Sequence, residues 1–280
     1  MSVLIRFFEL SDIPFALEQT GREGWDATAG TFETLLAHDP GGCFIAMRDG
    51  EPAGMVTTTR YADSAWIGNV IVPPRFRKES IGTKLMQHAV RYLEDQQVRC
   101  IRLEADPLGV NIYRRLGFQD EYESPRFRND QPLFRETQHS APLTDRDLPA
   151  VFELDRRLFG DDRSRLLAFL FQQRMAAHRV PRAGRIAGYA FLQDSRHGYR
   201  LGPWIAESAE MARELLSIAG IGLPARPVIV AVPGVNRQGM QLLAAYGFRQ
   251  TPSSLRMLRG ANLARGLPDC VYGLAGGAVG

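Results

Sequence analysis

The sequence predicts a mixed α/β protein that contains two copies of one domain. The chain has 280 residues, of which 45% are hydrophobic and 23% are charged, and this is typical of a folded chain long enough for two domains. Apolar residues change along the chain between the two-residue period of strands and the 3.6-residue period of helices. Several short motifs of the first half also recur in the second half at one constant spacing. Layered sheets and helices, built twice, account for all three observations.

The first half of the chain has the element order βααβββαβαβ. Turn signals separate the elements: Asp49-Gly50 between two strands, Pro73-Pro74 before the longest helix, and Gly117 after the last helix. This order mixes strand directions and does not fit a TIM barrel. Strands are predicted at 3–8, 42–47, 52–58, 65–72, 100–105 and from 118 onward, and helices at 12–20, 31–37, 81–93 and 109–116.

The second half repeats part of this order. Four matches share the spacing that separates Gly117 from Gly247, which we call the helix spacing: Gly117-Phe118 with Gly247-Phe248, Pro73 with Pro203, Leu85 with Leu215, and 106–109 with 236–239. The polar, turn-rich stretch 126–144 suits a boundary, which predicts domains at 1–137 and 138–280. The Gly/Ala-rich tail 273–280 is expected to fray unless it docks. Strands are predicted at 185–192, 199–204 and 227–232, and helices at 145–158, 164–177, 208–219 and before Gly247.

Charge and cysteine content narrow the classes of partner and compartment. A net charge of +3 describes no basic surface, so we expect no nucleic-acid partner. The three cysteines suit neither a disulfide framework nor a paired-cysteine zinc site, and the five histidines show no metal-ligand spacing, so no metal is expected. The sequence shows neither a secretory leader nor a membrane span. We therefore expect a cytoplasmic protein.

The loop between the strand ending at Val72 and the longest helix is a candidate anion site. Backbone N–H groups at the start of a helix point outward and bind anions, and Arg75, Arg77 and Lys78 add positive charge. The same residues also suit an ordinary loop with solvated charges. The loop alone therefore leaves both interpretations open.

Three stretches, 66–77, 77–83 and 111–118, together resemble the GNAT superfamily of acyl-CoA-dependent N-acyltransferases. That family's phosphate loop, (Q/R)-x-x-G-x-(G/A), is matched by Arg77 and Gly82, with Ser80 where the central glycine is expected. The resemblance implies a mixed, mostly antiparallel sheet in each domain and acetyl-CoA as co-substrate. The cofactor-binding residues it implies are Arg77, Lys78, Glu79, Ser80, Ile81, Gly82 and Thr83 for the pyrophosphate, the backbone of Val70, Ile71 and Val72 for the pantetheine arm, and Asp106 beside that arm.

The second family signature, a tyrosine followed three residues later by Gly-Phe, is matched by Tyr113, Gly117 and Phe118. A phenol near the thioester sulfur can protonate the departing CoA thiolate, so Tyr113 is the candidate catalytic residue, a general acid. A tyrosine one turn before Gly-Phe can also be a packing residue. Asp26, Glu33 and Glu104 are available as proton acceptors, but none is assigned as the base.

The function expected from this resemblance is direct transfer of an acetyl group to a primary amine, with a small molecule as acceptor. The loop 21–30 is expected to help form the acceptor pocket, and its Trp25 suits either a pocket wall or the core. At the helix spacing, acidic residues replace the phosphate loop and Leu243 replaces Tyr113, which predicts a degenerate second domain. That domain either completes an internal pseudo-dimer or gives structural support, and the chain is expected to be a monomer or a homodimer. A noncatalytic module that binds acyl-CoA or another ligand is the alternative.

Overall fold

The computed structural model describes residues 3–131, 134, 139–263 and 265–280. The helices are α1 (Ile13–Arg22), α2 (Ala29–His38), α3 (Ile81–Asp95), α4 (Val110–Arg115), α5 (Leu148–Phe159), α6 (Ser164–Gln173), α7 (Ala209–Ile218) and α8 (Arg237–Ala245). The strands are β1 (Val3–Phe7), β2 (Cys43–Arg48), β3 (Glu51–Arg60), β4 (Ala65–Ile71), β5 (Cys100–Ala105), β6 (Gln119–Asn129), β7 (Ala141–Pro142), β8 (Ala176–Arg182), β9 (Arg185–Ser195), β10 (Gly198–Ala206), β11 (Val228–Ala231), β12 (Arg249–Gly260) and β13 (Val271–Gly273). These elements confirm the mixed α/β class.

The chain forms two compact units, and neither is a contiguous half. The first unit consists of residues 1–120, 257–263 and 277–279, and the second of residues 121–256, 264–276 and 280. The predicted boundary between residues 137 and 138 lies outside the described residues and stays a prediction. Each unit thus includes chain from the other half.

In the first unit the strand order is β1-β2-β3-β4-β5, and the end of β12 follows β5. Neighbouring strands are antiparallel from β1 to β4, whereas β4 and β5 are parallel. Helix α3 packs on β2, β3 and β4, and Leu85 and Ile81 of this helix lie against Gly54 of β3. The apolar face predicted for this helix is therefore the one that closes the core.

In the second unit the order is β12-β6-β11-β10-β9-β8-β7, with β13 paired to β10. Its core is formed by buried side chains of β8 to β11 packed with α7, including Leu215 and Trp204. The sequence missed β8, because it extended the helix that starts at Ser164 as far as residue 177. Two features hid this strand: its alanines favour a helix, and Pro181 is tolerated only because the pairing with β9 shifts register there.

The internal repeat is present, but one spacing does not describe it. In the last helices, the amide of Phe118 donates to the carbonyl of Tyr113, and the amide of Phe248 donates to that of Leu243, as the helix spacing requires.

The hairpins follow a longer spacing. In the hairpin of β3 and β4, Arg60 pairs with Ala65 and Thr58 pairs with Ile67. The equivalent strand pairs in the hairpin of β9 and β10 are Asp194 with Tyr199 and Leu192 with Leu201. We call the separation of Ala65 from Tyr199 the hairpin spacing. At this spacing Pro203 takes the place of Asn69, so the match of Pro73 with Pro203 is wrong.

Candidate active site

Strands β4 and β5 separate part-way along their length. They pair from Ala65–Ile101 to Ile67–Leu103, and no further pair follows although both strands continue. We call the gap between residues 68–72 and residues 104–106 the first slot. A strand edge that has lost its neighbour presents free backbone donors and acceptors, so an extended ligand can add to it. The predicted pantetheine-binding residues Val70, Ile71 and Val72 lie along this edge.

A bulge in β4 accompanies this separation. Between the pairs Thr57–Gly68 and Met55–Ile71, β4 contains one residue more than β3. Asn69 has φ 51°, in the left-handed region, and its Nδ2 donates to Thr57 Oγ1 at 3.0 Å. Bulges bend a strand and redirect its edge. The sequence analysis did not identify Asn69, because the hydroxyl that holds it lies on another strand.

Helix α3 begins beside the end of β4. Arg77 Nε donates to the carbonyl of Val72 at 2.9 Å, and a Cβ at Gly82 would lie 3.5 Å from Val72 Cγ2. Ser80 is the N-cap residue of the helix, with φ 61°, and its side chain makes no hydrogen bond to the first turn. The first backbone hydrogen bond of the helix joins the Lys84 amide to the Ser80 carbonyl at 3.0 Å. The amides of the first turn are therefore available to an anion.

Gly82 is not required by packing within the protein. Glycine in a helix costs roughly 1 kcal/mol relative to alanine, and a Cβ here would make only one ordinary contact. The small residue instead keeps the start of the helix accessible. This accessibility suits close approach of a phosphate group to the backbone.

The charged residues of the loop differ in what they contact. The guanidinium of Arg77 pairs with Glu23, and Glu79 pairs with Arg48, so these two side chains already have partners in the protein. Lys78 is exposed and has φ 68°. Of the predicted loop cations, Lys78 is therefore the one best placed to meet an anion without first breaking an ion pair.

Tyr113 lies on α4, with its ring packed over Gly109. A Cβ at Gly109 would lie 2.6 Å from Tyr113 Cε2 and 3.0 Å from the phenol oxygen, so glycine allows this position. Burial of the ring raises the pKa of the Tyr113 phenol above its ordinary value, and the charge of Asp106 raises it further. Within the described part of the chain, the hydroxyl makes no hydrogen bond. The phenol is therefore protonated and has a hydrogen bond to give.

Asp106 follows β5 and joins the slot to the loop predicted to form the acceptor pocket. Trp25 Nε1 donates to Asp106 Oδ2 at 3.1 Å. This bond was not predicted, since the sequence left Trp25 as either pocket wall or core. It fixes the loop between α1 and α2 beside the start of α4.

Residues 277–279 cover the inner end of the first slot on the face opposite α3. The Ala278 carbonyl accepts from Thr59 Oγ1 at 3.4 Å, and the Val279 carbonyl accepts from Tyr61 Oη at 2.6 Å. A Cβ at Gly68 would overlap Ala278, so glycine is required there for this contact. The tail was expected to fray unless it docks, and these contacts show that its residues 277–279 dock on the first unit.

The second unit has neither an open helix start nor a tyrosine at the positions equivalent to the start of α3 and to Tyr113. The side chain of Ser208 caps α7 by accepting from the amide of Met211 at 3.4 Å, so this helix start satisfies itself. Glu207 beside it pairs with Arg157 and Arg185, and Leu243 stands in place of Tyr113. The start of α7 therefore differs from that of α3, where the amides stay available to an anion.

The described residues contain neither a metal cluster nor a membrane-spanning helix. Among residues 3–131, 134, 139–263 and 265–280, no group of three or more His, Cys, Asp or Glu side chains could hold a metal ion. No helix in these same ranges has both the length and the apolar composition that crossing a bilayer requires. All three cysteines are free thiols.

The family is shown by models that match each half of the chain. Residues 6–118 match the acetyltransferase (GNAT) family, and residues 151–273 match an acetyltransferase (GNAT) domain. The chain therefore belongs to the GNAT superfamily, carries two GNAT domains in tandem and is an acyltransferase. GNAT enzymes in general use acetyl-CoA and act on amine acceptors.

Individual relatives extend over nearly the whole chain. The holothin acyltransferase of Pseudoalteromonas sp. (strain SANK 73390) is 26% identical over 246 residues, which cover 85% of this chain and 81% of the relative. A solved structure from Pyrococcus horikoshii, named "Putative Acetyltransferase", has a TM-score of 0.87 and 25% identity and covers 99% of this chain and 96% of its own. A tandem GNAT protein from the clavulanic acid biosynthesis pathway, at 14% identity and a TM-score of 0.61, shares the fold; the match covers 92% of this chain and 98% of that protein.

Proposed function

We propose that this chain is an acetyl-CoA-dependent N-acetyltransferase that acts on a primary amine of a small molecule. The first unit carries the chemistry, with Tyr113 as general acid. The observation that carries the proposal is the presence in one unit of three features: an edge of β4 that β5 leaves unpaired, a start of α3 beside Val72 that no side chain caps, and a protonated phenol near Asp106. Together they give a binding surface for an extended arm that ends in a diphosphate.

The residues of the slot fit the two chemical parts of the cofactor. The amides of Ile81, Gly82 and Thr83, with Lys78 beside them, would hold the diphosphate. The backbone of Val70, Ile71 and Val72 would bond the two amide groups of the pantetheine arm. Asp106 has only acceptor oxygens, so it would accept from an N–H of that arm.

Acetyl-CoA would supply an activated acyl group as a thioester, whose C–S bond breaks as the C–N bond to the amine forms. Tyr113 would stabilise the departing sulfur by donating its hydrogen bond and then its proton, and the proton that the amine nitrogen loses as the amide forms would restore the phenol by way of solvent. Attack is direct, within a ternary complex, since no cysteine nucleophile is part of this site. Of the three cysteines, Cys43 and Cys100 are buried, and burial raises the pKa of Cys43 to about 12.

The acceptor is proposed to lie on the face of the sheet opposite α3. Trp25, Asp106 and residues 277–279 border this face, and Glu104 lies on it against Gly277. Carboxylates near the slot suit a cationic amine better than an anionic or apolar acceptor. The relative named holothin acyltransferase acts, by its name, on one discrete compound, which supports a small-molecule acceptor here.

Measurement of CoA release with a panel of amines tests this proposal. We expect turnover with the wild type and a loss of about 10²-fold or more in kcat for Tyr113→Phe, because general acid catalysis contributes about that much. Tyr92→Phe is the matched control: it removes a phenol of the same unit whose hydroxyl bonds Asp39, and its kcat should stay within about twofold. Full activity of Tyr113→Phe would remove this residue from the mechanism.

The same assay tests the alternative, a noncatalytic module that binds acyl-CoA. The observation that favours it is that Arg77 and Glu79 of the predicted phosphate loop already form ion pairs with Glu23 and Arg48. Tight binding of acetyl-CoA without release of CoA, across the whole amine panel, would support the module over the enzyme.

A further inference from the structure

We propose that residues 271–274 permanently occupy the cofactor slot of the second unit, so that each chain binds one acyl-CoA, in the first unit. The inference rests on the proposed function of the first slot. It assigns a role to a segment whose end was expected, from the sequence, to belong to a fraying tail.

The second unit forms the same gap between strands. Strands β10 and β11 are parallel and pair only at Tyr199–Val228 and Arg200–Ile229. The pairs Ala65–Ile101 and Trp66–Arg102 of the first unit occupy the equivalent positions. The two strands then separate, as β4 and β5 do.

Strand β13 enters this gap along the edge of β10. It pairs antiparallel with β10 at Trp204–Gly273 and Ile205–Val271. At the hairpin spacing, Trp204 and Ile205 correspond to Val70 and Ile71. The chain's own backbone therefore bonds the two positions that, in the first unit, are proposed to bond pantetheine.

The other side of the gap holds the same segment. The Leu274 amide donates to the Ala231 carbonyl of β11 at 2.8 Å, and Asn236 Nδ2 donates to the Val271 carbonyl at 2.9 Å. A Cβ at Gly202 would overlap the Leu274 carbonyl. Asn236 corresponds at the helix spacing to Asp106, the residue proposed to accept from the pantetheine arm in the first unit.

The side chains of the segment are part of the core. Tyr272 is 1% exposed, and its ring lies 5.4 Å from that of Trp204, while Leu274 is 3% exposed. A ligand could enter only by pulling these side chains into water and breaking the bonds to both strands. Backbone groups of the two strands that already bond this segment are not available to a ligand.

The first slot has no comparable occupant among the described residues. Residues 277–279 contact Gly68, Thr59 and Tyr61 at its inner end, and they form no strand pairs with Val70 or Ile71. The difference between the units thus lies in what fills the gap as well as in the residues that line it.

Calorimetric titration of the full chain with acetyl-CoA, joined to hydrogen exchange, tests this inference. We expect one mole of acetyl-CoA per mole of chain, and at least a tenfold loss of affinity in Lys78→Glu. Amides of 201–202, 204–206, 228–231 and 271–274 should exchange slowly in the free protein, and their exchange should not change when acetyl-CoA saturates it. Amides of 68–72 should become slower on binding.

Two sites per chain, or faster exchange of 271–274 when acetyl-CoA binds, would overturn the inference. Absence of any binding would instead overturn the proposed function. In that case exchange in the free protein still decides the role of the segment: slow exchange at Leu274 supports occupation of the gap, and rapid exchange contradicts it.

Discussion

Ser80 shows how one backbone angle connects the sequence to the site. The family pattern expects glycine at this position, and the structure gives a reason, since Ser80 has φ 61°. An L-residue in this region costs about 1–2 kcal/mol, which glycine avoids. The departure from the family pattern, visible in the sequence, therefore leaves the loop conformation intact at an energetic cost. The angle itself could not be predicted, because it depends on how the loop returns to Val72.

We expect Ser80→Gly to bind acetyl-CoA at least as tightly as the wild type, since it relieves this strain. Ser80→Val should raise the Kd by about fivefold or more, because a β-branched residue disfavours the left-handed region by about 1 kcal/mol or more. Isothermal titration with acetyl-CoA compares the two. Equal affinities for the valine variant and the wild type would show that this angle does not shape the anion site.

The pKa of Tyr113 predicts the alkaline limb of the pH profile. Because burial and Asp106 raise this pKa, the phenol keeps its proton beyond the ordinary value of about 10. As the pH rises, kcat/KM should increase while the acceptor amine loses its proton, and it should show no fall below about pH 10. A fall centred near pH 8 would indicate another acid at the sulfur.

At the scale of the element, the first slot depends on a bulge that periodicity does not reveal. The sequence predicted a strand at 65–72, and the structure confirms β4 at Ala65–Ile71. It could not predict that Asn69 would leave the strand conformation, because the partner that stabilises this is Thr57 on β3. Alternating apolar residues describe which face of a strand is buried, and they carry no information about its free edge.

Substitutions at Asn69 test the bulge. Asn69→Gly keeps access to the positive φ and loses only the bond to Thr57, so the KM for acetyl-CoA should rise by less than about fivefold. Asn69→Val loses the bond and also disfavours the angle, and we expect a rise of tenfold or more. Circular dichroism confirms that both variants fold. Similar KM values for the two would mean that the bulge does not set the shape of the slot.

At the scale of the whole molecule, each unit is completed by chain from the other half. Met257–Leu263 belong to the first unit, and Glu121–Asn129 of β6 belong to the second, where β6 pairs with β11. The repeat was visible in the sequence because Gly117-Phe118 and Gly247-Phe248 end equivalent helices. The sequence did not show that each unit takes in chain from the other half, since a strand has the same local pattern whichever repeat it pairs with.

A buried ion pair holds the second unit together. Arg163 and Asp155 are each 1% exposed and bond through three contacts of 2.7 to 3.0 Å, and Tyr189 donates to Asp155 at 2.7 Å. Asp155→Ala removes the carboxylate that pairs with this buried guanidinium and accepts from Tyr189, so it should lower the free energy of unfolding by about 3–5 kcal/mol. Arg156→Ala breaks the exposed pair with Asp162 and should cost less than about 1 kcal/mol. Urea unfolding measures both, and equal losses would contradict the assigned role of the buried pair.

The central claim is that the start of α3 binds a diphosphate and so directs a thioester toward Tyr113. The most direct test compares kcat/KM for acetyl-CoA and for S-acetylpantetheine, which lacks the diphosphate, in the wild type and in Lys78→Glu. Arg91→Glu, at an exposed position farther along α3, is the control. We predict that Lys78→Glu lowers kcat/KM for acetyl-CoA by tenfold or more and leaves that for S-acetylpantetheine unchanged within about twofold, while Arg91→Glu affects neither. An equal effect of Lys78→Glu on both donors, or none on either, would contradict the claim.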